Sequence, residues 1–165
     1  MSEWESPVDS EVGAKVFRMM PCGVYVVTTW DERGSHGMTA SWVMQVALKP
    51  PMVAVVCDRR HRTTEMIAKT RAFAVNLLSK DQAEIGERFF TPYQRLGHTP
   101  PLADYRPGRT GAPLLTEAIA TLECRVSEVV ETGDHRMFVG QVVSAELRRE
   151  EPVLTLADTG WHYGR

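Results

Sequence analysis

The sequence predicts a mainly β protein, an antiparallel barrel, closed or partly closed, with a few helices. Three observations predict it. Short apolar runs recur at 24–29, 52–57 and 73–78, the first two rich in β-branched residues, which suit strands. The connections between them are mostly short, whereas a doubly wound parallel sheet needs a helix at each crossover. No GxGxxG follows a strand and no Walker sequence occurs, so neither a Rossmann dinucleotide site nor a P-loop is encoded.

Each element follows from local signals. Ser6 can cap a first helix and Pro7 suits its first turn. Val12, Val16, Met19 and Met20 share one face of that helix, and Pro21 and Gly23 end it. Residues 24–29 read as a strand, 31–35 as a polar hairpin turn, and 38–48 as a strand closed by Pro50 and Pro51. The continuous apolar run at 52–57 predicts a strand buried on both faces. A basic connector at 59–64 opens a short helix over 64–69, and 73–78 is the next strand. Ser79 to Gln82 matches a capping box, which predicts a helix to about Phe89. Residues 91–113 hold five of the ten prolines and read as a long loop. Ala120, Leu122, Cys124 and Val126 alternate with polar neighbours, the period of a half-buried strand. Residues 131–134 turn the chain. In the strand that follows, Met137, Val139, Val143 and Ala145 make the apolar face, which Gln141 breaks. No repeat or linker is visible, so one domain over 1–165 is expected.

Composition narrows the function. A length of 165 residues, 43% hydrophobic and 24% charged, suits a globular core. The net charge of −2 gives no basic field for nucleic acid or anionic lipid. No apolar run approaches the roughly 18–20 residues of a membrane span. The acidic first residues lack the basic and apolar regions of a signal peptide. Cys22, Cys57 and Cys124 are odd in number and widely spaced, with neither a disulfide framework nor zinc spacing. A cytoplasmic location is the expectation.

Three stretches could carry chemistry. Gly37-Met38-Thr39-Ala40-Ser41-Trp42 sits between two β-branched runs. Small hydroxylated residues there let a flat ligand approach the backbone, although by themselves they also read as close packing. Arg59-Arg60-His61-Arg62-Thr63-Thr64 joins a strand end to a helix N-terminus. Free N–H groups, the helix dipole and arginine favour a phosphate there. The same composition also describes a solvated loop with Thr63 as helix cap. Gly133-Asp134-His135 is a turn whose histidine starts a strand. The other histidines, His36, His98 and His162, show no ligand spacing.

In this order the three stretches, together with Phe73-Ala74-Val75-Asn76, resemble the flavin reductase-like, FMN-binding split-barrel family from about Phe17 onward. The resemblance implies a Greek-key antiparallel split barrel acting as a homodimer. It implies an NAD(P)H:flavin oxidoreductase with FMN, or FAD, as flavin and NADH or NADPH as co-substrate. Reduced flavin would supply a monooxygenase partner or another acceptor. The other readings are a flavoprotein that retains FMN and relays electrons, and a flavin-binding module without reductase activity. By the same resemblance Thr39, Ala40, Ser41 and Trp42 line the flavin ring. The strand end and connector, Cys57, Asp58, Arg59, His61, Arg62 and Thr63, hold its phosphate end, with Thr63 a surer ligand than His61. Asn76 could touch the flavin or satisfy neighbouring backbone, and Cys57 reads from its context as a small core residue. His135 is the candidate catalytic residue, orienting the nicotinamide. Phe89 and Phe90 are candidate ring covers, with core packing the stronger reading, and Trp161 and Tyr163 are candidates for a ring cover or a dimer contact.

Overall fold

In the computed structural model the described residues are 9–90 and 103–162. Helix α1, Ser10–Met19, is capped by Asp9, whose carboxylate accepts the Glu11 and Val12 N–H groups at 3.0 and 2.9 Å. Ser6 and Pro7 lie outside the described residues. Seven strands then form one antiparallel sheet: β1 Tyr25–Asp31, β2 Gly34–Ala40, β3 Val43–Leu48, β4 Pro51–Asp58, β5 Ala72–Leu77, β8 Ala120–Thr132 and β9 His135–Leu147. The order across it is β2-β1-β5-β8-β9-β4-β3. The two edges, β2 and β3, are consecutive in the chain and joined only by Ser41 and Trp42. The sheet therefore curls into a barrel that stays split between its edges, a Greek-key split barrel rather than a closed one.

The barrel interior is filled from six strands and one helix. Val27, Met38, Val53, Val55, Cys57, Phe73, Val75, Cys124 and Phe138 pack there with Ile67 of α2, Arg62–Thr70. A second core lies outside β1. It joins Val24, Val26, Leu78 and Leu115 to Ile85 and Phe89 around α3, Ala83–Arg88. Strand β1 contributes to both cores, which is why Val26 and Val27 are both fully buried.

Several sequence expectations change. The strand expected over 38–48 is two strands, broken where the chain crosses from one sheet edge to the other. Val53, Val55 and Cys57 of β4 face the barrel interior; on its other face Ala54 is buried as well, while Met52 and Val56 are half-buried. In β9 the interior face is Phe138, Gly140 and Val142, one register from the expected set, so Met137, Val139 and Val143 point outward. Both faces are apolar there, and parity alone cannot choose between them. Gln82 does accept the Ser79 N–H at 2.9 Å, but α3 starts only at Ala83. Part of the expected loop pairs as β6, Tyr105–Pro107, with β7, Pro113–Leu115. A last short helix, α4, spans Leu156–Thr159. Among the described residues no helix is long and apolar enough to cross a membrane.

Candidate active site

The site is built where β4 ends. In the β4–β9 register Asp58 lies opposite His135, and Trp42 is held beside them because its carbonyl accepts the Val56 N–H at 2.9 Å. The Trp42 and His135 rings lie 4.7 Å apart, tilted by 43°. Gly133, at φ +52°, makes the turn that delivers His135 to this point. His135 Nδ1–H donates to the Asp134 carboxylate at 2.6 Å. That bond orients the ring and makes Nε2 the acceptor of the neutral imidazole. Arg59 ties the connector to the same turn. Its N–H donates to the Asp134 carbonyl at 3.1 Å, its Nε to the His135 carbonyl at 3.3 Å, and its guanidinium pairs with Glu131 at 2.6 Å.

Ser41 sits next to Trp42. Its side chain is buried, and its hydroxyl finds no hydrogen-bond partner among the described residues. Such a group costs stability unless something satisfies it, so Ser41 fits a ligand edge that offers a donor or acceptor. Trp42 also borders a largely apolar groove of about 730 Å³, shared with Phe17, Met20, Cys22, Leu156 and Trp161. That volume lies in the range of small-molecule pockets.

The second half of the site is the start of α2. His61 is its N-cap, and its Nδ1 accepts the Thr63 N–H at 3.3 Å. This acceptor role puts the ring proton on Nε2. That nitrogen has no hydrogen bond within the described residues, and the ring is half-buried. Burial lowers the His61 pKa. Thr63 is fully buried, with its hydroxyl 2.7 Å from His36 Nδ1. Thr64 Oγ1 donates to the Asp58 carbonyl at 2.7 Å, which joins the two halves. Burial, together with nearby His61 and Arg62, lowers the His36 pKa to about 4, so this imidazole is neutral near pH 7.

Four residues of the flavin expectation make their contacts within the protein, Cys57 as the core residue and Asn76 as the backbone partner that their contexts offered as readings. Thr39 Oγ1 donates to the Gly86 carbonyl at 2.5 Å, and its N–H to that of Phe89 at 3.3 Å. Ala40 and Cys57 belong to the barrel interior, where burial pushes the Cys57 thiol up to about 12. Asn76 is fully buried. Its amide donates to the Val26 carbonyl and Thr28 Oγ1 and accepts the Leu115 N–H at 2.8 Å, so it ties β1 and β5 to β7. Asp58 is close to the site, but Arg60 grips its carboxylate and holds its pKa at about 2. Arg62 stands at the first position of α2, half-buried.

Thr63 is likewise a buried anchor, and His61 is the group with a donor facing outward, the reverse of the expected ranking. Phe89 packs in the second core against Gly37, where a Cβ would come within 2.9 Å of its ring. Phe90 meets Trp161 edge-on at 4.3 Å, and Tyr163 lies outside the described residues. His36 is the residue that sequence reasoning missed. In a strand it shares parity with Met38 and Ala40, so it had to face inward and find a partner.

Comparison with known proteins gives a consistent set. Residues 17–165 match the model of the flavin reductase like domain. The chain is 34% identical over 148 residues to the reductase component of the 4-nitrophenol 4-monooxygenase/4-nitrocatechol 2-monooxygenase of Rhodococcus opacus, covering 89% of this chain and 77% of that one. It is 29% identical to the ferric-chelate reductase (NAD(P)H) of Archaeoglobus fulgidus over 150 residues, 87% of this chain and 86% of the other. The solved structure of the NADH:FAD oxidoreductase SgcE6 of Streptomyces globisporus superposes with a TM-score of 0.74 at 31% identity, covering 89% of this chain and 88% of that one. The same enzyme has also been solved with NAD and FAD fragments.

Proposed function

Because the chain belongs to the flavin reductase like domain family, we propose that it is an NAD(P)H-dependent flavin oxidoreductase. FMN is the proposed flavin, with FAD as the other candidate, and NADH or NADPH is the hydride donor. The relatives named for monooxygenase reductase components support delivery of reduced flavin to a monooxygenase partner. A single cytoplasmic domain over 1–165 is part of the same proposal.

The observation that carries this reading is the buried Ser41 hydroxyl, which has no partner among the described residues, beside the Trp42–His135 pair. A bound flavin supplies the redox chemistry by accepting a hydride from the nicotinamide. The protein supplies position. Ser41 and the backbone near it would hold the polar edge of the ring, and Trp42 would cover one side. His135, fixed by Asp134, would orient the nicotinamide by accepting its carboxamide N–H. His61, Arg62 and the α2 N-terminus would take the phosphate.

The test is the absorbance spectrum of the purified protein with flavin, recorded anaerobically before and after NADH or NADPH. Bleaching of the flavin band is expected. A band that neither nicotinamide bleaches would leave a flavin-binding protein and end the reductase reading. The likeness to a ferric-chelate reductase favours one second reading, in which flavin stays bound and passes electrons to a small acceptor. Slow flavin release during turnover would select it.

A homodimer belongs to the proposal as well. Edge strand β3 exposes Met44, Val46 and Leu48, and β9, two strands away in the same sheet, turns Met137, Val139 and Val143 outward. An apolar sheet edge left in water invites pairing. Light scattering at micromolar concentration should give about twice the 18.5 kDa chain mass. A monomer that binds flavin tightly would refute it.

A further inference from the structure

We propose that His36 is a positioning residue for phosphate recognition: through Thr63 it fixes the first turn of α2, so that His61 presents Nε2–H to the phosphate of a phosphorylated flavin. The inference rests on the flavin reading above and adds the device that would make the site prefer FMN to riboflavin.

The chain of contacts is continuous. His36 is in β2 opposite Thr29. Its ring is only 4% exposed, so it cannot swing out to solvent. Nδ1 lies 2.7 Å from Thr63 Oγ1, which crosses from the sheet edge to the helix. Thr63 is wholly buried, and its hydroxyl does not reach a ligand at the surface. What Thr63 sends outward is its backbone N–H, given to His61 Nδ1 at 3.3 Å. That bond sets both the angle and the tautomer of His61. A neutral ring with its proton on Nε2 is a donor, whereas the other tautomer would face an anion with a lone pair. The His36 and His61 rings also meet edge-on at 5.9 Å, 68° between planes. His36 therefore braces the loop from behind by two contacts while touching no ligand itself.

The experiment measures FMN and riboflavin dissociation constants by fluorescence for the wild type and four variants. Wild type should prefer FMN by at least about tenfold, as expected for a hydrogen bond to a charged group. His36→Leu and Thr63→Val should each lose roughly tenfold in FMN affinity while riboflavin binding stays within about twofold. His36→Asn, whose amide can stand where Nδ1 stood, should restore most of the preference. His61→Ser keeps a helix cap but lacks the ring, and should lose the preference with little change in Tm. A role confined to stability would lower Tm and weaken both flavins alike.

If His36→Leu does not fold, Thr63→Val decides. Full FMN preference in a folded His36→Leu or Thr63→Val protein overturns the inference. A wild type that binds both flavins equally removes the phosphate site and the inference with it. NADH bleaching of the flavin band would then still stand, so the two failures are distinguishable.

Discussion

The two halves of the candidate site are held in opposite ways. At the α2 start, neutral hydrogen bonds among buried and half-buried groups do the work: His36 to Thr63, Thr63 to His61, Thr64 to the Asp58 carbonyl. At the β8–β9 turn the contacts are charged and wet. The Asp134 side chain is 87% exposed, and Arg59 and Glu131 are each close to half exposed. The first half is rigid and depends on protonation. The second is adjustable and depends on ionic strength. This division suits a site that must hold one end of a ligand in place while a second molecule comes and goes above the other.

The sharpest way to break the comparison is acid. In the folded protein His36 has a pKa of about 4 against an ordinary 6.5. The unfolded chain therefore binds the extra proton first as pH falls. Stability is full above pH 6.5, declines between 6.5 and about 4, and has lost this contribution below 4. The shift converts to about 3 kcal/mol at most. His61 is shifted in the same direction by burial and adds to the loss. Asp58, held at about 2, contributes over a separate window, from the ordinary carboxylate range down to 2. Urea unfolding at pH 7, 5.5 and 4.5 should show the decline, and His36→Asn should flatten it. A profile unchanged by His36→Asn would mean that the imidazole is not held neutral.

A smaller effect is expected at the other half. His135→Ala should slow reduction of bound flavin by roughly 10- to 100-fold, or about 1.4–2.7 kcal/mol, because orientation is shared among several contacts. FMN affinity should change little, since the proposed contact is to the nicotinamide. Stopped-flow reduction with a melting curve on the same sample checks this. Unchanged rates in a folded variant would take His135 out of the site. A large loss of FMN affinity would make it a flavin ligand instead.

Much of the fold was legible because strands leave local marks. The runs at 24–29, 52–57 and 73–78 became β1, β4 and β5, and the helix after the basic connector became α2. The site was legible as segments but not as side-chain directions. Thr63, Thr39 and Asn76 stood out as polar residues at promising places, yet each spends its hydrogen bonds on the protein itself. A sequence shows that a buried polar group needs a partner but not who provides it. The β9 register failed for a related reason. Val139 and Phe138 are both apolar, and the choice between faces depends on which side the curled sheet encloses. His36 was hidden because its meaning lies in Thr63, 27 positions away.

The smallest expected effect tests the wet half by itself. Arg59 reaches Glu131 across the turn at 2.6 Å, and Glu131 also accepts Arg136 Nε at 2.6 Å. Exposed pairs of this kind contribute little, and salt screens them. Glu131→Gln should therefore leave the protein folded, with the reduction rate within about threefold of wild type. The backbone bond from the Arg59 N–H to the Asp134 carbonyl remains in that variant, and Arg59 Nε still has the His135 carbonyl to bond, so the turn keeps its shape. Raising salt from 0.15 to 1 M cuts the screening length from about 8 to 3 Å. Wild type should respond to that change slightly more than Glu131→Gln. FMN release from a neutral, buried α2 brace should not distinguish the two proteins at all. Should Glu131→Gln instead slow reduction as much as His135→Ala does, the surface ion pairs would be part of how His135 is held. The two halves of the site would then be equally rigid, and the contrast between them would be lost.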